Sequence, residues 1–380
     1  MRVCSLSSVK NRIVLGEPLL FSVRDAVGML LLARGQIIVD EPQLQALFKR
    51  GAQVEADEIA LLTELDPPVR REAPAPRIDR LAADWERATG DVQQALTAPP
   101  TTMAGAIHSA TDLLLSLIQC APDVALSQVV RRPDAGAGHY GVTHSIHAAT
   151  ACHAAARFLG WSADEQRRAF QAALTMNLGM LDLQARLATQ VSPLTTKQRE
   201  AIHAHPTRSA EMLGEAGVTD AVWLDAVREH HEAPDGSGYP RGLTEVGALT
   251  EMLRFADVYT ARLSSRANRP AMSAQQAGRE LHQMGDSNPL AAALIKAFGV
   301  FPPGSMVKLA SGELGVVVRN GEKAHHPLVA TLTNNAGVPR LTSLIRDTAR
   351  EEHAVVALLS AQAMPMRLSD ERVAGLIVGQ

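Results

Sequence analysis

Residues 229–243 read EHHEAPDGSGYPRGL, and the first three letters carry the densest chemistry in the chain. His230 and His231 offer two imidazoles, the commonest metal ligands among side chains. A protein-bound ion needs more than two ligands, so this pair calls for partners elsewhere in the sequence. Successive residues on a helix diverge by about 100°. That predicts that His230 and His231 each serve a different one of two neighbouring ions. The plainer reading is a helix C-terminus with imidazoles set against its dipole, followed by a glycine- and proline-stabilised turn. Of the thirteen histidines, His108, His153, His282, His325, His326 and His353 read as packing or solvated residues. His139 merely precedes a helix.

Helices must position such ligands, and the middle of the chain supplies them. ATDLLLSLIQCA has apolar residues at helical spacing, and GVTHSIHAATACHAAARFLG is rich in alanine and stops at Gly160. SADEQRRAFQAALTM opens with Ser162 and Glu165 three residues on, a capping box, and TTKQREAIHAHP opens similarly with Thr195 and Gln198. TDAVWLDAVREHHE and ALTEMLRFADVYTARL predict two further helices. Before them, NRIVL, PLLFSV and GMLLLARGQIIV are β-like runs between turn residues, and EPQLQALFKRGA predicts a short helix ended by Gly51. DPPVRREAPAPRIDR reads as a linker. After GVFPPGS, MVKLASGELGVVVRN predicts a hairpin, with HPLVATLTN and HAVVALL as further strands. The expected architecture is mainly α: a β-rich module over 1–65, a linker over 66–80, a helical domain over 81–300 and a β-rich appendage over 301–380.

The chain has 380 residues, more than one core usually organises. A net charge of −3 with 20% charged residues gives no basis for binding a nucleic-acid polymer. Three isolated cysteines argue against a disulfide framework and fit buried thiols in a reducing cytoplasm. No apolar run approaches the roughly 20 residues that span a bilayer. Glu17 and Pro18 interrupt the N-terminal apolar stretch that a signal peptide would need. The expectation is a cytoplasmic protein with no membrane partner.

HHEAPDGSGYP matches every fixed position of HHExxDGxGYP, the signature of the HD-GYP domain. The resemblance covers about residues 125–290. HD-GYP proteins are bacterial phosphodiesterases that open cyclic di-GMP, an all-helical branch of the HD metal-dependent phosphohydrolases. By this resemblance THSIHAATACHAAARFLG places a metal ligand at His144, and AIHAHPTRSAEML places another at His205. LRFADVYTARLSSRANRPAMS places a carboxylate ligand at Asp257 and phosphate-contacting cations at Arg266 and Arg269. Without the resemblance, Asp257 reads as a solvated helix residue and the arginines as a surface pair. His147 and His203, beside matched ligands, read as packing or support. The loop of Asp235, Gly236, Gly238, Tyr239 and Pro240 is also a protein-contact element in the family, for example towards diguanylate cyclase domains. The β module and the β tail resemble a small leading domain and a common C-terminal extension in such proteins.

The family takes its name from a His-Asp pair in HDIGK. Here the aligned stretch is ALTMNLGMLDLQARL, which puts Met176, Asn177 and Met180 at the His, Asp and Lys positions. A bridging carboxylate holds two cations close together and helps place the water that attacks phosphorus. A neutral amide is a weaker donor, and a thioether matches iron or manganese poorly. One lost transition-state contact costs ~3–4 kcal/mol in comparable enzymes. Asp182 is the nearby acid, five residues past Asn177 and beyond Gly179. The expected function is cyclic di-GMP signalling with lost or impaired hydrolysis, through binding of the nucleotide, a diguanylate cyclase or another signalling protein, with homodimerisation open. The alternatives are an active phosphodiesterase with a non-standard metal site and a purely structural interaction module. One divalent metal (iron, manganese or similar) or none is the expected cofactor.

Overall fold

The computed structural model describes residues 3–6, 9–10, 13, 16–55, 58, 80–131, 139–285, 287–360 and 363–379. The expected linker lies outside the described residues except for Arg80, and the NRIVL run does so except for Ile13. The chain divides into two compact units, Met1–Ala73 and Pro74–Gln380.

In the first unit an antiparallel sheet has the order β1-β4-β2-β3, with β1 (Val3–Ser5), β2 (Val23–Arg24), β3 (Leu30–Leu32) and β4 (Gln53–Glu55). The register sets Cys4 opposite Val54 and Val23 opposite both Val54 and Leu32. Helix α1 (Glu41–Lys49) starts where Asp40 accepts a hydrogen bond from the Gln43 backbone N–H. It stops before Gly51, whose φ of 64° suits glycine. Phe21, Val23, Ile38, Leu44 and Val54 form the core. The strands are shorter than the apolar runs suggested, and Leu20, Val27, Met29 and Ile37 from those runs are exposed.

The second unit is helical from α2 (Leu81–Leu96) through α3 (Pro100–Cys120), α4 (Pro122–Val130), α5 (Tyr140–Phe158), α6 (Ala163–Thr175), α7 (Leu181–Thr189) and α8 (Thr196–Glu215). It continues with α9 (Ala221–Glu229), α10 (Ala248–Leu263), α11 (Ala274–Gly285) and α12 (Pro289–Phe298). Both expected capping boxes form, at Ser162 with Glu165 and at Thr195 with Gln198. Helix α5 is buried on nearly every side. Its small residues allow this: a Cβ on Gly141 would lie 2.7 Å from the Leu181 carbonyl oxygen. No single helix among the described residues is long and apolar enough to cross a membrane.

A five-stranded antiparallel sheet follows, in the order β8-β7-β6-β5-β9. Its strands are β5 (Met306–Leu309), β6 (Leu314–Arg319), β7 (Leu328–Thr333), β8 (Pro339–Asp347) and β9 (Val355–Leu359). The expected β5–β6 hairpin is present. The sequence reading missed a last helix, α13 (Asp370–Val378), which Ser369 caps by accepting from the Arg372 N–H. Val373, Ala374 and Ile377 of α13 share one apolar core with Val316 and Val318 of β6 and with the helices. The C-terminal sheet is therefore packed into the same compact unit as the helices.

Candidate metal centre

His205, His230 and His231 converge so that one ligand atom from each lies within 4.8 Å of the other two. Local sequence explains how the first two are aimed. Pro206 has no N–H, so within α8 the carbonyl of Ile202, four residues earlier, loses its helical donor. The His205 ring takes that place, with Nδ1 2.5 Å from the Ile202 oxygen. His230 follows the last turn of α9, where carbonyls also lack helical donors. Its Nδ1 lies 2.7 Å from the Val227 oxygen. Carbonyl oxygens only accept, so Nδ1 carries the proton on both rings and Nε2 presents a lone pair. The two Nε2 atoms face each other at 3.2 Å. Two lone pairs at that distance repel unless a proton or a metal ion lies between them. Burial first, and then the neighbouring His231, push His205 down to about 4. Burial, His231 and His205 hold His230 well below the usual imidazole range. The rings are thus neutral near pH 7 and oriented by backbone carbonyls, a donor set that fits a divalent metal.

The expectation that His230 and His231 would serve separate ions rested on helical divergence between them, and here the two rings lie side by side. The 100° rotation applies inside a helix. Helix α9 ends at Glu229, and His230 is its C-cap residue, so the chain turns and brings both rings to one cluster, with centroids 4.2 Å apart.

A second group sits on α5 and α10. His144 is fully buried, and its Nε2 lies 2.7 Å from Oδ1 of Asp257. Burial opposes ionisation of Asp257, but the His144 hydrogen bond and the charges of His144, His231 and His230 hold its carboxyl well below the usual range. Asp257 is therefore not the solvated helix residue that local pattern suggests, since its side chain is 16% exposed. Tyr140, four residues before His144, stacks on that ring with planes 5° apart. Arg266 Nε donates to the Tyr140 hydroxyl at 3.2 Å. Arg269 is engaged differently: its Nη2 donates to the Ala261 carbonyl at 2.6 Å, in the last turn of α10. The arginines are linked by backbone hydrogen bonds in both directions. They are half-buried rather than a free surface pair.

Glu232 organises the loop after His231. Its buried carboxylate accepts from the backbone N–H groups of Arg241 at 2.7 Å and Leu243 at 2.9 Å. A Cβ on Gly238 would lie 2.4 Å from Glu232 Cα and from Ala233 N, so only glycine permits this approach. Asp235 is exposed and accepts from the N–H and hydroxyl of Ser237, which fixes the turn through Gly236. Tyr239 stacks on His231 at 4.5 Å and on His203 at 4.9 Å. Pro240, which follows Tyr239, is half-buried.

Met176 caps α6 and is fully buried, as is Asn177. Both polar atoms of the Asn177 amide lack a hydrogen-bond partner among the described residues. A short 3-10 turn (Leu178–Met180) follows, in which the Gly179 N–H donates to Ser209 Oγ. A Cβ on Gly179 would come within 3.0 Å of the His205 carbonyl oxygen. Met180 is half-buried. Asp182 lies in the first turn of α7, with its side chain 81% exposed and 3.3 Å from His139 Nε2. It pairs there and does not join the histidine cluster. His147 is buried on α5.

Sequence reasoning missed the roles of Tyr140, His203, Pro206 and Glu232. Signals existed for two of them. Tyr140 and His144 are four apart on one helix face, and a proline inside a helix always frees a carbonyl four residues back. The His203–Tyr239 stack joins a helix to a distant loop, and no local pattern announces it.

The sequence profile of the HD domain matches residues 124–290. The chain is 28% identical over 269 residues to the cyclic di-GMP phosphodiesterase PA4108 of Pseudomonas aeruginosa, covering 67% of this chain and 65% of that protein. It is 29% identical over 132 residues to the 3'3'-cGAMP-specific phosphodiesterase 1 of Vibrio cholerae, covering 34% of this chain and 30% of that protein. The chain thus spans less than two thirds of the length of either relative. Bd1817 of Bdellovibrio bacteriovorus, an HD-GYP-type protein of solved structure, superimposes with a TM-score of 0.47 at 15% identity, over 77% of this chain and 97% of that one. Residues 124–290 match the HD domain and contain the HHEAPDGSGYP segment, and together with the similarity to PA4108 this supports an HD-GYP-type domain in that part of the chain.

Proposed function

We propose that this chain acts in bacterial cyclic di-GMP signalling, binding the nucleotide or a signalling partner with phosphodiester hydrolysis lost or impaired. The observation that carries this reading is the pair Met176-Asn177 where the family has His-Asp. Asn177 is buried and neutral, with an amide unpartnered among the described residues. It supplies no negative charge to hold two cations together or to orient a nucleophilic water. A bound divalent ion would bring positive charge to an anionic phosphate and acidify a coordinated water. His205, His230 and His231 are the residues to hold it.

The remaining parts favour retained binding. Arg266 is held by Tyr140 beside the His144–Asp257 pair and is the stronger candidate for a phosphate contact. Arg269 is committed to a backbone carbonyl and is the weaker one. The loop carrying Tyr239 and Pro240 is held in shape by Glu232, which suits a contact surface for a diguanylate cyclase or another signalling protein. A second reading, an active phosphodiesterase with a non-standard metal site, is favoured by one observation. The Asp257 charge reaches His205, His230 and His231, so all five ligand-type residues share one electrostatic neighbourhood.

Calorimetric titration of cyclic di-GMP into the purified protein tests the binding half. The expected outcome is a saturable signal that weakens in Arg266→Ala. No binding by either the metal-loaded or the chelated protein would remove the nucleotide half and leave partner binding or the structural-module reading.

A further inference from the structure

We infer that this chain holds one metal ion, not two, at a three-nitrogen site formed by His205, His230 and His231, and that its donors select an ion of the zinc class. This deepens the functional reading above and rests on its assignment of the histidine cluster as a metal centre.

Three observations carry it. First, the Nε2 atoms of His205 and His230 face each other at 3.2 Å while both Nδ1 atoms are engaged by carbonyls. With both Nδ1 atoms protonated, that geometry needs a metal ion or a shared proton between the two Nε2 atoms. His231 adds a third nitrogen within the same 4.8 Å group. Three protein ligands with one open position is the count of catalytic zinc sites. Second, the other half of a two-ion centre lacks ligands. His144 Nε2 and Asp257 Oδ1 are hydrogen-bonded to each other at 2.7 Å. Met176 and Asn177 bring a thioether and a neutral amide in place of an imidazole and a carboxylate. A single nitrogen and a single carboxylate are fewer protein ligands than even sparse catalytic sites use. Without a carboxylate between them, two dications a few ångströms apart also repel unscreened. Third, the retained cluster contains no oxygen donor. Neutral imidazoles suit zinc, copper, iron or nickel, whereas manganese and magnesium favour carboxylate and water, and three nitrogens with one open position is the count that zinc sites use.

Asn177 is consistent with this count. It is buried, both its amide atoms lack protein partners among the described residues, and two residues on a Cβ at Gly179 would come within 3.0 Å of the His205 carbonyl oxygen. A buried amide of this kind calls for a small partner such as a water.

The test is elemental analysis of the full chain, stripped with chelator, reloaded with excess Zn²⁺ and desalted, beside a Co²⁺-loaded sample. The expected results are one zinc per chain and the intense visible absorption of four-coordinate cobalt. His205→Ala and His231→Ala should lose the ion, and Asp257→Asn should keep it. Two ions per chain, none, or the weak absorption of six-coordinate cobalt would overturn the inference, as would loss of zinc from a folded Asp257→Asn. If the histidine variants fail to fold by circular dichroism, the stoichiometry and cobalt spectrum of the unmodified chain decide the matter. A protein that binds cyclic di-GMP but no metal would sink this inference alone. A one-zinc protein that binds no nucleotide would sink the nucleotide-binding reading alone.

Discussion

Pro206 shows how one residue can aim another. By withholding an N–H it leaves the Ile202 carbonyl for the His205 ring, which fixes the tautomer and turns Nε2 towards His230. Pro206→Ala would return a competing donor to that carbonyl. The expected outcome is a helix at least as stable but a metal affinity lower by about ten- to a hundredfold, the usual effect of losing an orienting partner. Competition against a chelating dye measures it. The replaced centre gives a second prediction at this scale. Met176→His, Asn177→Asp and Met180→Lys together should raise bound metal above the parent, read by elemental analysis. An unchanged metal content would show that these positions are not the family's His, Asp and Lys. The candidate ligands could be named from the sequence because the motif is long and fixed. Their grouping was not, because whether the His230 and His231 rings come together depends on where α9 stops. The commitment of Arg269 to the Ala261 carbonyl was equally hidden, since it depends on a turn that folds back onto a helix end.

At the scale of elements, the loop from His231 to Leu243 is held by backbone contacts as much as by side chains. Gly238→Ala would force a Cβ to 2.4 Å from backbone atoms of Glu232 and Ala233. The loop must shift, and the Glu232 bonds to Arg241 and Leu243 are strained with it. The expected cost is about 3 kcal/mol, at the upper end for overpacking. Gly214, within α8, has nothing within 4 Å of a built Cβ. Gly214→Ala should instead stabilise by roughly 0.5–1 kcal/mol through helix propensity. Denaturant titration of both variants checks the contrast. Helices were the most legible elements, since capping boxes at Ser162 and Thr195 and apolar periodicity mark them directly. Short strands and α13 were less so. An apolar run such as GMLLLARGQIIV does not say which of its residues remain exposed, and nine residues of helix after a β tail give a weak periodic signal.

For the molecule as a whole, the C-terminal sheet and the helices share a core, so events in one should be felt in the other. Glu313 is the clearest lever. Its carboxylate is fully buried, and Arg346 first, with Ser311 and Arg340, outweighs burial to lower its pKa below the ordinary 4.5. A carboxyl with a depressed folded-state pKa stabilises fully above its unfolded value, and that contribution is lost as pH falls through the folded value. Glu313→Gln should therefore melt below the parent at pH 7, and the gap should narrow as pH drops below 4.5. Parallel melting curves with a constant gap would refute this. The central claim concerns function at the same scale: a histidine shell kept around a centre that has lost its bridging carboxylate. The most direct measurement is chromatography of cyclic di-GMP incubated with the full chain and added divalent metal. The account predicts that the cyclic dinucleotide is recovered intact after prolonged incubation. Multiple-turnover conversion to a linear dinucleotide, abolished in His205→Ala, would contradict it.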